Sequence, residues 1–240
     1  DDTGIPKQGK KSVGVKRQYC GALGKIGNCQ IAVSSTLKTE ANAWVLAMRL
    51  YLPEEWIDDK ERRDDAEIPK KISFQTKGEL ALEQLDRILS DGYKISCVVA
   101  DADYGDRFEF RTGIAKRGLY FAAGLRPMTV VYPEKPRIIS GDPPGGTGRR
   151  GRPKTARLEK KTKGPISVRE YETRLSEKEW KTFKWTNSPN GEELSAECAV
   201  VRVTPAGRRR PAITHEECWL IIEHRSDGTR YYFSNLPEDT

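Results

Sequence analysis

The 240-residue sequence contains no uninterrupted apolar run approaching the roughly 18 residues that a membrane-crossing helix needs, so no transmembrane helix is expected. Apolar residues make up only 36% of the chain and charged residues 32%, which implies a core that is modest relative to the surface. None of the five cysteines forms a CxxC pair, and their number is odd. Reduced, mostly buried thiols of a cytosolic protein are the simplest account. His215 and Cys218 have ligand-like spacing with His224 nearby, but no partner pair completes a zinc site. No signal peptide is visible, and a chain that opens in mid-element does not testify about targeting.

What is abundant is positive charge. The formal net charge is +7, which favours a polyanionic partner. Residues 126–163 carry eleven Lys and Arg against three acidic residues, so this segment alone exceeds the excess of the whole chain. Within it, Gly141 to Lys154 is rich in Pro and Gly and reads as a mobile loop.

Periodicity divides the chain at this point. Before it, Lys16 to Cys20 and Cys29 to Ser35 read as strands around a Gly-rich turn, and Trp44 to Leu52 as an extended apolar stretch closed by Pro53. With a strand that would end at Asp2, they make an antiparallel meander. Thr76 to Asp91 predicts a helix: Thr76 can cap, Glu79 takes the capping-box position, Gly92 ends it, and Leu80, Leu82, Leu85, Ile88 and Leu89 form one apolar face. A short buried strand at 96–100, a helix from Phe108 to Arg117 and a buried strand at 119–125 follow. This order predicts a mixed α/β sheet in residues 1–125, with Asp2 and Asp101 ending neighbouring central strands. Residues 126–240 read as a basic loop and a β-rich module, with pieces at 166–175, 199–204, 219–225 and 230–234 and a hairpin at Asp227-Gly228.

The stretch Val98-Val99-Ala100-Asp101-Ala102-Asp103-Tyr104-Gly105-Asp106 carries the most chemistry, because an apolar run ends in a carboxylate followed at once by a turn. Carboxylates at the C-terminal ends of strands stand at the mouth of an α/β sheet, where ligands and metals are held. Asp1-Asp2-Thr3-Gly4 opens the chain as though the strand delivering it had been cut away. Either aspartate alone has an ordinary account as a cap or turn acceptor. Both together, in a basic chain, point to a divalent-metal site at Asp2 and Asp101. Mg²⁺, with Mn²⁺ as a substitute, is the ion that hard carboxylate oxygens and substrate phosphates select. Two such ions can serve in-line phosphodiester displacement.

The run from Asp1 to Val15 (DDTGIPKQGKKSVGV), then Gln18 to Gln30 (QYCGALGKIGNCQ), resembles the start of the catalytic domain of bacterial insertion-sequence transposases of the DDE superfamily. Trp44 with Arg49 to Trp56 (RLYLPEEW), Val99-Ala100-Asp101 with Tyr104-Gly105, and Trp219 to His224 (WLIIEH) extend the likeness over nearly the whole chain. The resemblance implies an RNase H-like fold interrupted by a β-rich insertion. It implies two catalytic aspartates and a glutamate binding Mg²⁺, and Mg²⁺-dependent cleavage and strand transfer during DNA transposition. Asp2 matches the first catalytic position and Asp101 the second, with Asp1 an open substitute for Asp2. Transposon ends and target DNA are the implied partners, with a homodimer of the complete protein, no membrane, and a cytoplasmic, nucleoid-associated location.

In relatives the third carboxylate lies on a helix after the insertion, in a Tyr-x2-Arg-x3-Glu-x6-Lys pattern. The near-match here, Tyr171-x2-Arg174-x2-Glu177-x6-Lys184, is one residue short, and one residue turns a helical side chain by about 100°. Ser176 starting a short capped helix gives Glu177 an ordinary role. The expectation is therefore a fragment, inactive alone, whose glutamate lies beyond Thr240. A transposase-derived DNA-binding protein without catalysis and an RNase H-like structure-specific nuclease are the alternatives.

Gly148 to Lys154 (GRRGRPK) resembles an AT-hook, which lies in the minor groove of A·T-rich DNA. Arg149, Arg150, Arg152 and Lys154 either read that groove or form a solvated basic loop that touches phosphates. Lys10 and Lys11, within a basic N-terminal run that also holds Lys7, Lys16, Arg17 and Lys25, are further candidates for DNA contact. Trp180 or Trp185 is a candidate for stacking on a displaced base, against the ordinary role of hairpin packing.

Overall fold

The computed structural model describes residues 1–139, 157–159, 163–187, 191–206 and 217–238. The described residues form two compact units, one from 1–96 with 112–117, the other from 97–111, 118–187 and the described part of 191–240.

The first unit runs β1 (Asp2–Pro6), β2 (Lys16–Cys20), β3 (Lys25–Lys38), β4 (Ala43–Tyr51), α1 (Glu54–Asp58), α2 (Lys60–Asp65) and α3 (Lys77–Ser90). All its strand pairs are antiparallel, but the order is β1-β3-β2 with β4 also on β3, so the expected meander is replaced by a sheet built around one long strand. At Ile31–Val33, β3 pairs with β1 on one side and with β4 on the other. β3 is long because pairing extends it past the expected Cys29–Ser35 at both ends, with β2 over Lys25–Asn28 and with β4 over Thr36–Lys38. Cys29, Ile31 and Val33 are all buried, and the strand begins at Lys25, inside the expected turn. α3 forms as predicted. The Thr76 hydroxyl accepts the Glu79 amide, Glu79 returns a carboxylate to the Thr76 amide, and Leu80, Leu85 and Ile88 are buried. Gln84, buried on the same face, donates to Val33 O at 2.9 Å and accepts from the Ser35 hydroxyl at 2.7 Å, which ties the helix to β3. Trp56 closes a second cluster with Val15 and Ile68, its indole N–H satisfied by Val15 O at 2.9 Å.

The second unit holds β5 (Cys97–Ala100), α4 (Ala102–Gly105), α5 (Phe108–Lys116, shared with the first unit), β6 (Tyr120–Leu125), β7 (Val130–Tyr132), β8 (Ile138–Ile139), β9 (Arg157–Leu158) and β10 (Ile166–Ser167). It continues with α6 (Val168–Glu172), β11 (Trp180–Asn187), β12 (Glu192–Pro205), β13 (Cys218–Arg225) and β14 (Gly228–Ser234). Eight strands form one sheet, β10-β7-β12-β13-β14-β6-β5, with β11 also on β12. Among the described residues only β5–β6 is parallel. The β13–β14 hairpin forms about Asp227-Gly228 as expected, with Gly228 at φ +127.

Three expectations are corrected here. β5 forms in the expected place but is not buried: it is the edge of its sheet, paired with β6 alone, and Val99 is 76% exposed. β1 and β5 belong to different sheets, so Asp2 and Asp101 do not end neighbouring strands among the described residues. The stretch 166–175 is not a strand beyond Ser167, because the Ser167 hydroxyl accepts the Glu170 amide at 3.1 Å and starts a helical turn instead.

That turn delivers Glu172 to the sheet, where its carboxylate accepts from the Tyr231 hydroxyl and meets His224 Nε2 at 2.8 Å. Burial and the Glu172 bond push the Tyr231 phenol well above its ordinary range. Trp180 stacks on the His224 ring with centroids 4.1 Å apart, so its face is taken by the protein, whereas Trp185 is 42% exposed. All five cysteines are free thiols, with Cys20, Cys29 and Cys218 buried, as expected. Among the described residues no group of three or more His, Cys, Asp or Glu could hold a metal, and His215 lies outside them.

Candidate functional site

Asp101 ends β5 and is the N-cap of α4. Its backbone is extended, and its Oδ1 accepts the amides of Asp103 at 2.9 Å and Tyr104 at 3.3 Å. A short polar side chain is needed here, because the first amides of a helix have no carbonyl partners of their own. The carboxylate is exposed, and among the described residues it makes no ion pair with Lys, Arg or His.

The turn it caps is pressed against β6. A Cβ on Gly105 would fall inside the van der Waals shell of the Gly124 carbonyl oxygen and lie 2.9 Å from the Ala123 carbonyl carbon. A Cβ on Gly124 would in turn stand 3.0 Å from the Ala102 amide and 3.1 Å from the Asp101 carbonyl carbon. Glycine at both positions lets the two backbones touch. Beneath the turn, Arg111 is buried, donates to Gly105 O and lies 5.0 Å from the centre of the Phe233 ring. Cys218 packs nearby, and burial pushes its thiol up to about 12.

Two more carboxylates follow Asp101, and both are engaged. Arg126, just past the end of β6, reaches Asp103 Oδ1 through Nη2 and Asp106 Oδ2 through Nη1 at 3.0 Å. Asp106 Oδ1 also accepts from the Thr129 hydroxyl and from the Arg126 amide at 3.4 Å.

Asp2 stands at the start of β1, opposite Val33 of β3, rather than at the end of a strand. Its carboxylate is 18% exposed and forms an ion pair with Lys77, the first residue of α3. The capping box at Thr76 fixes where that lysine begins. Asp1 is exposed and its Oδ1 accepts the Asp2 amide at 2.7 Å. Asp2 therefore has a structured partner from another element, while the Asp1 carboxylate accepts from its own neighbour. Asp2 and Asp101 belong to different units.

Lys10 and Lys11 are exposed on the β1–β2 loop. That loop is braced by Asn28 Nδ2, which donates to Lys7 O at 3.1 Å and Gly9 O at 2.5 Å, and by Arg62, which donates to Lys10 O at 2.9 Å while stacking on Trp56. Lys16, from the same basic run, is instead paired with Glu55 at 2.9 Å. Arg149, Arg150, Arg152 and Lys154 lie outside the described residues. Glu177 sits in a short 3-10 turn whose capping partner is Glu179, accepting from the Ser176 amide at 2.8 Å, which is the ordinary role expected of that segment. Sequence reasoning missed Lys77 and Arg126. For Lys77 a signal existed, since a capped helix start places its first side chains predictably.

The donor chemistry fits a divalent cation: exposed or half-buried aspartate oxygens are the hard ligands Mg²⁺ takes, one or two at a time, with waters and phosphates completing its shell. The profile of the DDE superfamily endonuclease family matches residues 1–191. Over 106 residues the chain is 32% identical to a probable transposase for insertion sequence element IS701 from Microchaete diplosiphon. That match covers 44% of this chain and 25% of the relative's length.

Proposed function

Because this chain belongs to the DDE superfamily of endonucleases, we propose that it is part of the catalytic domain of an insertion-sequence transposase, built on an RNase H-like core and cutting and joining DNA with Mg²⁺. One observation carries the reading. Asp101 presents an exposed carboxylate at a strand end, orientated by two backbone amides, inside the region that matches the family. Asp2, matched to the first ligand position, and Asp101 would hold the metal. When bound, Mg²⁺ supplies Lewis-acid activation of the attacking oxygen and charge neutralisation at the leaving oxygen.

The chain's own residues have separable tasks. Asp101 Oδ1 is held by the amides of its turn, which restricts the reorganisation this exposed carboxylate needs to take a cation. Lys77 neutralises Asp2 when no metal is present. Lys10 and Lys11 contact DNA phosphates without reading sequence, and Arg149, Arg150, Arg152 and Lys154 supply DNA contacts of their own. Two carboxylates with waters and phosphates hold Mg²⁺ weakly, so a third carboxylate would be needed for a tight ligand set.

Mn²⁺ titration followed by the EPR signal of the free ion tests the metal assignment. Weak saturable binding is expected, reduced by Asp2→Ala and by Asp101→Ala. Binding unchanged in both variants overturns it. Mg²⁺-dependent nicking of supercoiled DNA by the chain that Asp101→Ala leaves intact would overturn the catalytic role of Asp101.

A further inference from the structure

We infer that Arg126 is a positioning residue for Asp101, selecting which of three neighbouring carboxylates is left to take a cation. This rests on the reading of Asp101 as a metal ligand.

Asp101, Asp103 and Asp106 fall within six residues on one turn, and three like charges so close repel one another. Arg126 reaches across from the end of β6 and divides its fork between two of them, Nη2 to Asp103 and Nη1 to Asp106. Asp106 is the more embedded, at 10% side-chain exposure, and takes the Thr129 hydroxyl and the Arg126 amide as well. It is thereby made a structural anion. Asp103 is half-exposed, and its carboxylate is tied to Arg126 at the end of β6. Asp101 alone is left without a cationic side chain among the described residues.

The arginine also fixes the direction in which Asp101 faces. Asp101 Oδ1 is orientated by the amide of Asp103, and the side chain of that same Asp103 is held by Arg126. The path is short: guanidinium to Asp103 carboxylate, through one residue to its amide, and from there to the Asp101 oxygen. A planar fork can serve two carboxylates at once, which the point charge of a lysine cannot do with the same geometry. Arg126 is itself 49% exposed, so its ion pairs contribute little to folding and their consequence is orientation.

The test uses the 240-residue chain and its Arg126→Ala, Arg126→Lys, Asp103→Asn and Asp101→Ala variants. Amide hydrogen exchange reads orientation without metal. Arg126→Ala should speed exchange at Asp103 and Tyr104 about tenfold, while the β6–β14 amides and the melting temperature hold. Mn²⁺ affinity should fall about tenfold in Arg126→Ala, the scale for losing a group that orientates a ligand. It should fall similarly in Asp103→Asn, not further in the double variant, and be restored only in part by Arg126→Lys. Unchanged exchange at Asp103 and Tyr104 in Arg126→Ala overturns the inference, whatever the metal does. So does full Mn²⁺ affinity in Arg126→Ala when Asp101→Ala has lost it. Mn²⁺ affinity that Asp101→Ala leaves intact refutes the metal assignment, and with it the cation-selecting role of Arg126.

Discussion

Gly105→Ala isolates the contact that seats the Asp101 turn. The substitution ought to help, since replacing glycine by alanine in a helix gains up to about 1 kcal/mol of backbone entropy and propensity. Here the new methyl would overlap the Gly124 carbonyl oxygen and crowd the Ala123 carbonyl carbon at 2.9 Å. Both belong to backbone that cannot rotate away, because β6 is hydrogen-bonded on one side to β5 and on the other to β14. The strain therefore falls on α4, which must lift from the sheet. Overpacking of this kind costs about 1–3 kcal/mol, and loss of the Arg111 bond to Gly105 O adds about 1 kcal/mol or more. The net expected destabilisation is about 2 kcal/mol, or a fall in melting temperature of about 4–8 °C for a protein of this size. Gly113→Ala is the control. Its Cβ would also be crowded, at 2.5 Å, but by the Leu82 Cδ1 methyl of a side chain that can turn aside, so its melting temperature should stay within about 2 °C of the parent. Thermal unfolding followed by circular dichroism measures both. A Gly105→Ala protein as stable as the parent, or no less stable than Gly113→Ala, would refute the claim that the Gly105–Gly124 approach sets the turn.

Two further outcomes follow from charge. Cys218 has an ordinary thiol value of 9.0 when unfolded and about 12 when folded, so its neutral form favours the native state. That stabilisation is complete below pH 9 and is lost as pH rises from 9 toward 12, amounting to about 4 kcal/mol at the limit. Urea unfolding should show this loss in the parent and not in Cys218→Ala; equal alkaline slopes would contradict it. Lys77→Gln removes the ammonium that competes for Asp2, so Mn²⁺ affinity should rise about fivefold, matching the roughly 1 kcal/mol of a part-exposed ion pair. A drop in affinity, read by the same EPR titration, would mean that Lys77 supports the ion rather than opposing it.

The parts legible in the sequence are those governed by short-range physics. Thr76 and Glu79 are three residues apart, and their reciprocal capping needs nothing else, so α3 was readable with its first turn. The β13–β14 hairpin was readable because Asp227-Gly228 marks the reversal, Asp227 lying in the two-residue turn with Ser226 and Gly228 opening β14. Asp101 could be placed at a strand end, but not its surroundings. That β5 is an exposed edge follows from its pairing with β6 alone among the described strands, and the lack of a second partner leaves no local trace. The Ile166–Leu175 stretch misled because its apolar and β-branched residues outweighed Ser167, whose hydroxyl captures the Glu170 amide and turns the chain. Arg126 was hidden for a similar reason, since its partners lie 20 and 23 positions earlier and meet it only after a helix has returned the chain to the sheet.

The ladder between β6 and β14 also has a consequence in time. Phe121 donates its amide to the Asn235 side chain, 114 residues later, so the platform beneath Asp101 stays open on one flank until the final hairpin emerges from the ribosome. At about 5–20 residues per second, that interval is on the order of 10 s. Closing so distant a pairing is slow and comes after local elements have formed. The nascent chain thus carries β6 through synthesis with its β14 side unpaired, while the local contacts of the acidic turn are already in place. The order of assembly delays closure of the β6 flank until β14 has been made.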